Sequence, residues 1–313
     1  MKTKAFFLQA LTPVHPGTEQ SVESVIDLPV AREKSTGIPI IPASTIKGVL
    51  RGRYEDEKLA KELFGYAPES GNDEKARRAT ESDEVGIEHA PESGNDGKAA
   101  SLTFTDARLL LLPVRSFWGG YALLTSPSII SRWRRDAQLL GIPAPSFEPV
   151  TLFNDYRILL PSNSALPQPL GQGKAEAESD ADLAVVLEDF DFKAKPLPEG
   201  WAHRFASTIF SDPREAENVE RHLAVVSDSV FAHFARHGLE VIARVQLDPQ
   251  QKTVKEGPWY EENVPAEAIF SFFALAEHED YLAEVKKHAL LQLGGQTSIG
   301  RGLVRTLEAA HGK

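Results

Sequence analysis

Apolar residues in this chain gather in short blocks, separated by polar stretches and by breaks marked with proline or glycine. Residues 5–11 form a compact apolar run that stops at Thr12-Pro13, which predicts a first strand. A loop containing Pro16 and Gly17 leads to a second extended stretch over residues 22–28. Pro39 and Pro42 then bracket Ile40-Ile41, and residues before proline avoid the helical region, so this piece is also extended. Ser44 stands where a helix cap is expected. Ile46, Val49 and Leu50 recur at helical spacing, Leu59, Leu63 and Phe64 continue that apolar face, and Gly65 is a helix stop.

The apolar pattern vanishes over residues 66–100, which predicts a mobile acidic insertion. Within it, Ala67-Pro68-Glu69-Ser70-Gly71-Asn72-Asp73 recurs as residues 90–96, each copy followed one residue later by Lys-Ala. One pair of copies is a duplicated loop element rather than a solenoid. Order resumes near Ser101. Residues 102–114 and 121–125 read as strands, 128–140 as a helix, and 161–181 as loop. A strand over 184–192, a helix over 201–210 and helical sequence between 217 and 236 follow. Residues 239–247 alternate as a strand and run into the turn Asp248-Pro249. Residues 268–275 form a buried strand and 281–291 a helix, before Gly294-Gly295 and a last stretch to Leu307. Interspersed strands and helices with long polar insertions indicate an α+β fold rather than a regular βαβ repeat. Length alone permits one large domain or two smaller ones.

Composition adds limits. The 313 residues are 42% hydrophobic and 25% charged, the balance of a globular protein with a large core. No apolar run is long enough to span a bilayer, and the basic, partly apolar N-terminus lacks a small-residue cleavage site. There is no cysteine, which excludes disulfides, thiolate metal sites and cysteine nucleophiles and suits the cytoplasm. The net charge of −11 argues against nucleic-acid binding over the whole surface, but the charge is partitioned. Nine acidic residues face three basic ones over residues 69–96, and seven acidic residues face none over 176–191. Residues 32–53 are the reverse, with Arg32, Lys34, Lys47, Arg51 and Arg53 against Glu33, so a local basic groove is open.

The strongest local motif is Leu293-Gly294-Gly295-Gln296-Thr297-Ser298-Ile299-Gly300-Arg301-Gly302-Leu303. Clustered glycines let a backbone approach a phosphate and present N–H groups, and Arg301 can grip a phosphate oxygen. A nucleotide-binding P-loop is excluded, because Arg301 stands where lysine is needed and Gly302 where Ser or Thr should bind magnesium. A tight turn between helix and strand is the alternative explanation. Lys47 and Arg51 lie four apart on one helix face, where they can track a nucleic-acid backbone or simply form a solvated face.

These motifs together suggest a family. The segment Pro42-Ala43-Ser44-Thr45-Ile46-Lys47-Gly48-Val49-Leu50-Arg51 resembles the IPGSSLKGxLR signature of the repeat-associated RAMP proteins, and residues 294–302 resemble their C-terminal glycine-rich motif. Leu11-Thr12-Pro13-Val14-His15-Pro16-Gly17, Ile26-Asp27-Leu28-Pro29-Val30-Ala31-Arg32-Glu33 and Trp259-Tyr260-Glu261-Glu262-Asn263-Val264-Pro265 resemble the backbone subunits of Cmr (type III-B) CRISPR effector complexes. The blocks span most of the chain, leaving out the acidic insertion and residues 161–181.

The resemblance implies a single domain over residues 1–313 carrying insertions, a ferredoxin-like, RRM-like palm with inserted thumb and finger elements. It implies copies stacked as a helical filament along a guide crRNA beside other Cmr subunits, with no membrane partner. It implies that complementary single-stranded target RNA is cut endonucleolytically at regular intervals. By the same resemblance Asp27 is the essential acid and His15 a second catalytic position. Lys47 and Arg51 contact the guide, with Gly300, Arg301 and Gly302 supporting that surface. Asp27 can act as a base or position Mg²⁺, the implied cofactor, while an imidazole such as His15 moves protons near neutral pH. No dedicated set of metal ligands is assigned. Glu261-Glu262 can supply a further acid, but reads first as an exposed acidic turn. The family often carries an aromatic where Asn263 stands, and Pro16 with Thr18-Glu19-Gln20 replaces a glycine-richer stretch beside His15. A non-catalytic RNA-binding scaffold is the competing function, and a stand-alone guide-processing ribonuclease the third.

Overall fold

The computed structural model of the chain describes residues 1–17, 26–66, 99–143, 150–152, 154–169 and 183–310. The expected strand over 22–28 and the duplicated element of the acidic insertion lie largely outside these residues.

The fold is α+β and built on one large mixed sheet. Strand β1 (Lys2–Ala10) runs antiparallel between β13 (Ile269–Ala276) and β15 (Leu303–Glu308), so both ends of the chain meet at one place in the sheet. Buried from Ala5 to Leu8 without interruption, β1 shows the continuous apolar run of a strand covered on both faces. Phe6 stacks on Phe272 of β13 with ring centroids 5.3 Å apart. Each such buried Phe contributes about 1.5–3 kcal/mol. On one side of this trio, β14 (Leu290–Gln292) pairs with β15. On the other, β4 (Ala107–Arg115) pairs with β13, while β2 (Ile40–Ile41) and β3 (Leu102–Phe104) pair with β4 and β13. Beyond β4 the sheet continues through β5 (Tyr121–Thr125), β10 (Leu223–Val225), β6 (Arg157–Leu160), β9 (Phe190–Pro196), β8 (Leu183–Leu187) and β7 (Gln168–Pro169).

The helices pack on this sheet and share one apolar core with it. They are α1 (Ala43–Arg51), α2 (Glu57–Phe64), α3 (Pro127–Leu139), α4 (Trp201–Ile209), α5 (Pro213–His222), α6 (Asp228–His237) and α7 (Glu279–Lys287). Several expected boundaries shift for local reasons. The helix expected to be capped by Ser44 starts two residues earlier, with Pro42 at the cap position and no side-chain cap, so Ser44 lies in its first turn. It splits at Gly52, and α2 restarts behind Asp56, whose carboxylate accepts the Lys58 and Leu59 N–H groups. The long helix expected across 217–236 is cut by β10, because Leu223, Ala224 and Val225 pair in the sheet. The strand expected over 184–192 is a hairpin turning at Glu188, whose φ of 50° is left-handed.

Strands β11 (Glu240–Leu247) and β12 (Val254–Asn263) form a separate antiparallel hairpin that stands off the sheet, with most of its residues exposed. Only the last three residues of β12 are buried, where the strand re-enters the body.

Candidate functional site

The buried end of β12 organises the site. Glu261 and Glu262 are 6% and 3% exposed, which corrects the expected acidic turn. Each carboxylate is buried together with an arginine and a neutral donor, the arrangement that makes a buried charge tolerable. Glu261 accepts hydrogen bonds from Arg244 Nε at 3.0 Å and from the Trp259 indole N–H at 2.9 Å. Glu262 accepts from the Arg32 guanidinium and, at 3.0 Å, from the Val30 N–H.

The segment after residue 25 lies along this strand end. Leu28 donates its N–H to the Tyr260 carbonyl and its own carbonyl accepts from Glu262 N–H, both at 3.0 Å. That docking carries Asp27 to the surface, where its Oδ2 accepts the Tyr260 N–H at 2.7 Å. The other oxygen, Oδ1, has no partner among the described residues. Arg32 anchors the same segment from behind, donating to the Gly37 and Ala235 carbonyls at 2.7 and 2.8 Å.

His15 approaches the strand from its other neighbour. Val14 and Val264 exchange two backbone hydrogen bonds of 2.8 Å, which seats the His15 ring with Nδ1 2.7 Å from the Glu262 carbonyl. A carbonyl only accepts, so Nδ1 carries the hydrogen and, in the neutral ring, Nε2 keeps its lone pair. Asp27 and His15 therefore hang from Tyr260 and Glu262, two residues of one strand roughly 7 Å apart.

The glycine-rich loop packs beneath His15. The Gly295 N–H donates to the His15 carbonyl and the Gly302 N–H to the Pro13 carbonyl, both at 2.9 Å. Gly294 and Gly302 have φ of +86° and +80°, and a Cβ on either would fall 2.2 Å from the His15 carbonyl oxygen or 2.1 Å from that of Leu293. The fold itself requires glycine at these two positions. Gly300, at φ +81°, faces open space. Arg301 is tied down, donating to Glu240 at 3.1 Å with its side chain 15% exposed. Helix α1 packs against β14, whose end leads into this loop. On α1, Arg51 is exposed and donates to the Gly65 carbonyl at 3.2 Å, while half-buried Lys47 has no acidic partner among the described residues. Hydrogen bonds thus join Asp27, β12, His15 and the glycine loop that carries Gly300, Arg301 and Gly302, whereas Lys47 and Arg51 are related to this group only through the packing of α1 on β14.

No three histidine or acidic side chains converge to hold a metal among the described residues. Glu261 and Glu262, the nearest acids on the strand, are committed to arginines. Asp27 fits a Mg²⁺ site only as a single protein ligand, the remainder coming from phosphate and water.

Sequence reasoning missed Arg32, Tyr260 and Glu262 as parts of this site. A signal existed in the acid pair set one residue before the apolar Val264, yet its cationic partners lie 17 and 230 residues away.

Comparisons with known proteins bear on the family and the fold. A family model described as the RAMP superfamily matches residues 7–305. The CRISPR system Cmr endoribonuclease Cmr4 of Pyrococcus furiosus is 27% identical, over 97% of this chain and 95% of that protein. The CRISPR system CMR subunit Cmr4 of Saccharolobus solfataricus is 26% identical, over 96% and 94%. Among solved structures, oligomeric Cmr4 from P. furiosus superposes with a TM-score of 0.67 at 23% identity, covering all of both chains. A chain of the type III-B Cmr-beta complex bound to cognate target RNA gives a TM-score of 0.67 at 20% identity, over 98% and 97%. With the family model spanning nearly the whole chain and the same fold in these structures, this chain belongs to the RAMP superfamily.

Proposed function

We propose that this chain is a backbone subunit of a type III-B CRISPR effector complex and that it cleaves target RNA paired with a guide crRNA. The observation that carries the reading is the common mounting of Asp27 and His15 on one strand end, next to the glycine-rich loop. Full-length similarity to proteins named as Cmr4, one of them an endoribonuclease, supports it. Copies of the chain stack along the guide with other Cmr subunits, as the oligomeric relative and the Cmr complex structures suggest. Such a complex works in the cytoplasm, and no described helix is long and apolar enough to cross a membrane.

RNA brings its own nucleophile. The 2′-hydroxyl attacks the adjacent phosphorus, the P–O5′ bond breaks, and the leaving oxygen takes a proton. We assign His15 as the base: its Nε2 keeps the lone pair that takes the 2′-hydroxyl proton, and because the residue is only 6% exposed, the RNA must displace what covers the ring to reach that atom. Asp27 stands at the surface, held by Tyr260 through one oxygen, with the other available to orient the 2′-hydroxyl or to bind Mg²⁺. Asp27 is the residue that would hold Mg²⁺, which would supply charge neutralisation at the phosphate. Lys47 and Arg51 hold the guide backbone without reading sequence, and the exposed backbone at Gly300 adds to that surface.

A scaffold without cleavage is the second reading. It is favoured by the structural bond that Asp27 already makes to Tyr260 N–H, which a simple turn residue would also make. End-labelled complementary RNA presented to the reconstituted guide-loaded complex separates the two. Cleavage gives a ladder of evenly spaced products that needs complementarity and falls when Mg²⁺ is chelated. Tight binding of intact RNA establishes the scaffold instead.

A further inference from the structure

We infer that Glu262 is a positioning residue, whose buried carboxylate sets where Asp27 stands relative to His15. This rests on the functional reading above. The backbone and side chain of Glu262 reach both segments that carry the proposed catalytic residues. Its N–H donates to the Leu28 carbonyl at 3.0 Å, next to Asp27, and its carbonyl accepts from His15 Nδ1 at 2.7 Å. Its carboxylate holds the Val30 N–H at 3.0 Å and the Arg32 guanidinium.

The backbone bonds would survive a change of side chain, but the carboxylate bonds would not. Without them the Asp27 segment keeps its contacts at Leu28 and at Ala31, whose N–H reaches the Pro16 carbonyl, and loses the clamp between them. Arg32 would still bind the Gly37 and Ala235 carbonyls, so residues 30–32 would stay attached to the body but no longer to β12. His15, mounted through the backbone, would stay in place. The effect of the side chain falls first on residues 30–32, which continue from Asp27, and reaches the His15 side only through the backbone bond between Ala31 and Pro16; at 3% exposure the Glu262 carboxylate itself is set back from the surface. Displacing a reacting group by about 1 Å can lower a rate by roughly a hundredfold, which sets the scale.

Glu262→Gln tests this, because the amide oxygen can still accept the Val30 N–H while the ion pair is lost. Single-turnover cleavage by the guide-loaded complex, per assembled complex, should fall about tenfold in Glu262→Gln and about a hundredfold in Glu262→Ala. Target affinity should remain at the wild-type value. In an Asp27→Asn background, Glu262→Gln should cause no further loss, since residues acting through one another do not add. Amide exchange at Val30 should speed up in Glu262→Ala while exchange at Val14 is unchanged, a readout that needs no cleavage. A wild-type rate in Glu262→Gln, losses that multiply with Asp27→Asn, or loss confined to assembly would each overturn the proposal. If Asp27→Asn alone cleaves normally, the functional reading fails and takes this inference with it. If Asp27→Asn is inactive and Glu262→Gln is normal, only this inference fails.

Discussion

Two glycines of the C-terminal loop, two residues apart and with nearly equal φ, should respond very differently to alanine. Gly300 and Gly302 sit at φ +81° and +80°, so either substitution carries the cost of a left-handed backbone, about 1–2 kcal/mol. At Gly300 nothing lies within 4 Å of the new methyl group, and that cost is the whole effect. At Gly302 the methyl would fall 2.1 Å from the Leu293 carbonyl oxygen. The loop must then move, giving up the 2.8 Å bond from Leu293 N–H to the Gly302 carbonyl and the 2.9 Å bond from Gly302 N–H to Pro13. At roughly 1 kcal/mol net for each bond, Gly302→Ala should lose about 3–4 kcal/mol. Urea unfolding followed by tryptophan fluorescence checks this, with the midpoint moving at constant slope. Equal losses in the two variants would refute the packing argument and point to a different reason for glycine at Gly302.

Lys47→Ala and Arg51→Ala should each weaken guide RNA binding for every sequence and reduce the slope of log affinity against log salt by about 1, read from titrations at several salt concentrations. Glu33→Gln should cost stability at neutral pH and not in acid. Burial pushes the Glu33 carboxyl up, but hydrogen bonds from Arg132 and Thr36 and the charges of Arg132 and Arg108 outweigh it, so its pKa lies below the ordinary 4.5. A depressed carboxylate stabilises the fold above its unfolded pKa and loses that contribution as pH falls through the folded value. The gap in unfolding midpoint between wild type and Glu33→Gln should therefore be open at pH 7 and close below about pH 4.5. Phe272→Ala should lose about 3–5 kcal/mol in the same unfolding assay, as the stacking partner of Phe6 at the centre of the sheet.

The sheet core was legible because β1 carries an apolar run over residues 5–8 and β13 is apolar but for Ser271, the pattern of strands covered on both faces. The helix over 127–139 was legible to within a residue, since Pro127 opens it and its apolar positions recur at helical spacing. Residues 217–236 misled because helical composition surrounds three apolar residues that prefer a sheet partner 100 positions away, Leu223 pairing with Leu123. In the site, Asp27 and His15 were visible only through family resemblance, since neither has a local sequence signature. What joins them was not visible at all. Glu262 looked like a surface acid because its partners, Val30 and Arg32, are more than 200 residues distant. The glycine loop was recognised, but the tight fit of Gly294 against His15 and of Gly302 against Leu293 depends on how the N-terminal segment crosses it.

The account stands most directly on Asp27. Cleavage of a complementary RNA by the reconstituted guide-loaded complex should be compared for wild type and Asp27→Asn, with target binding measured in the same samples. The account predicts that cleavage is lost while binding is kept. Cleavage by Asp27→Asn at the wild-type rate would contradict it.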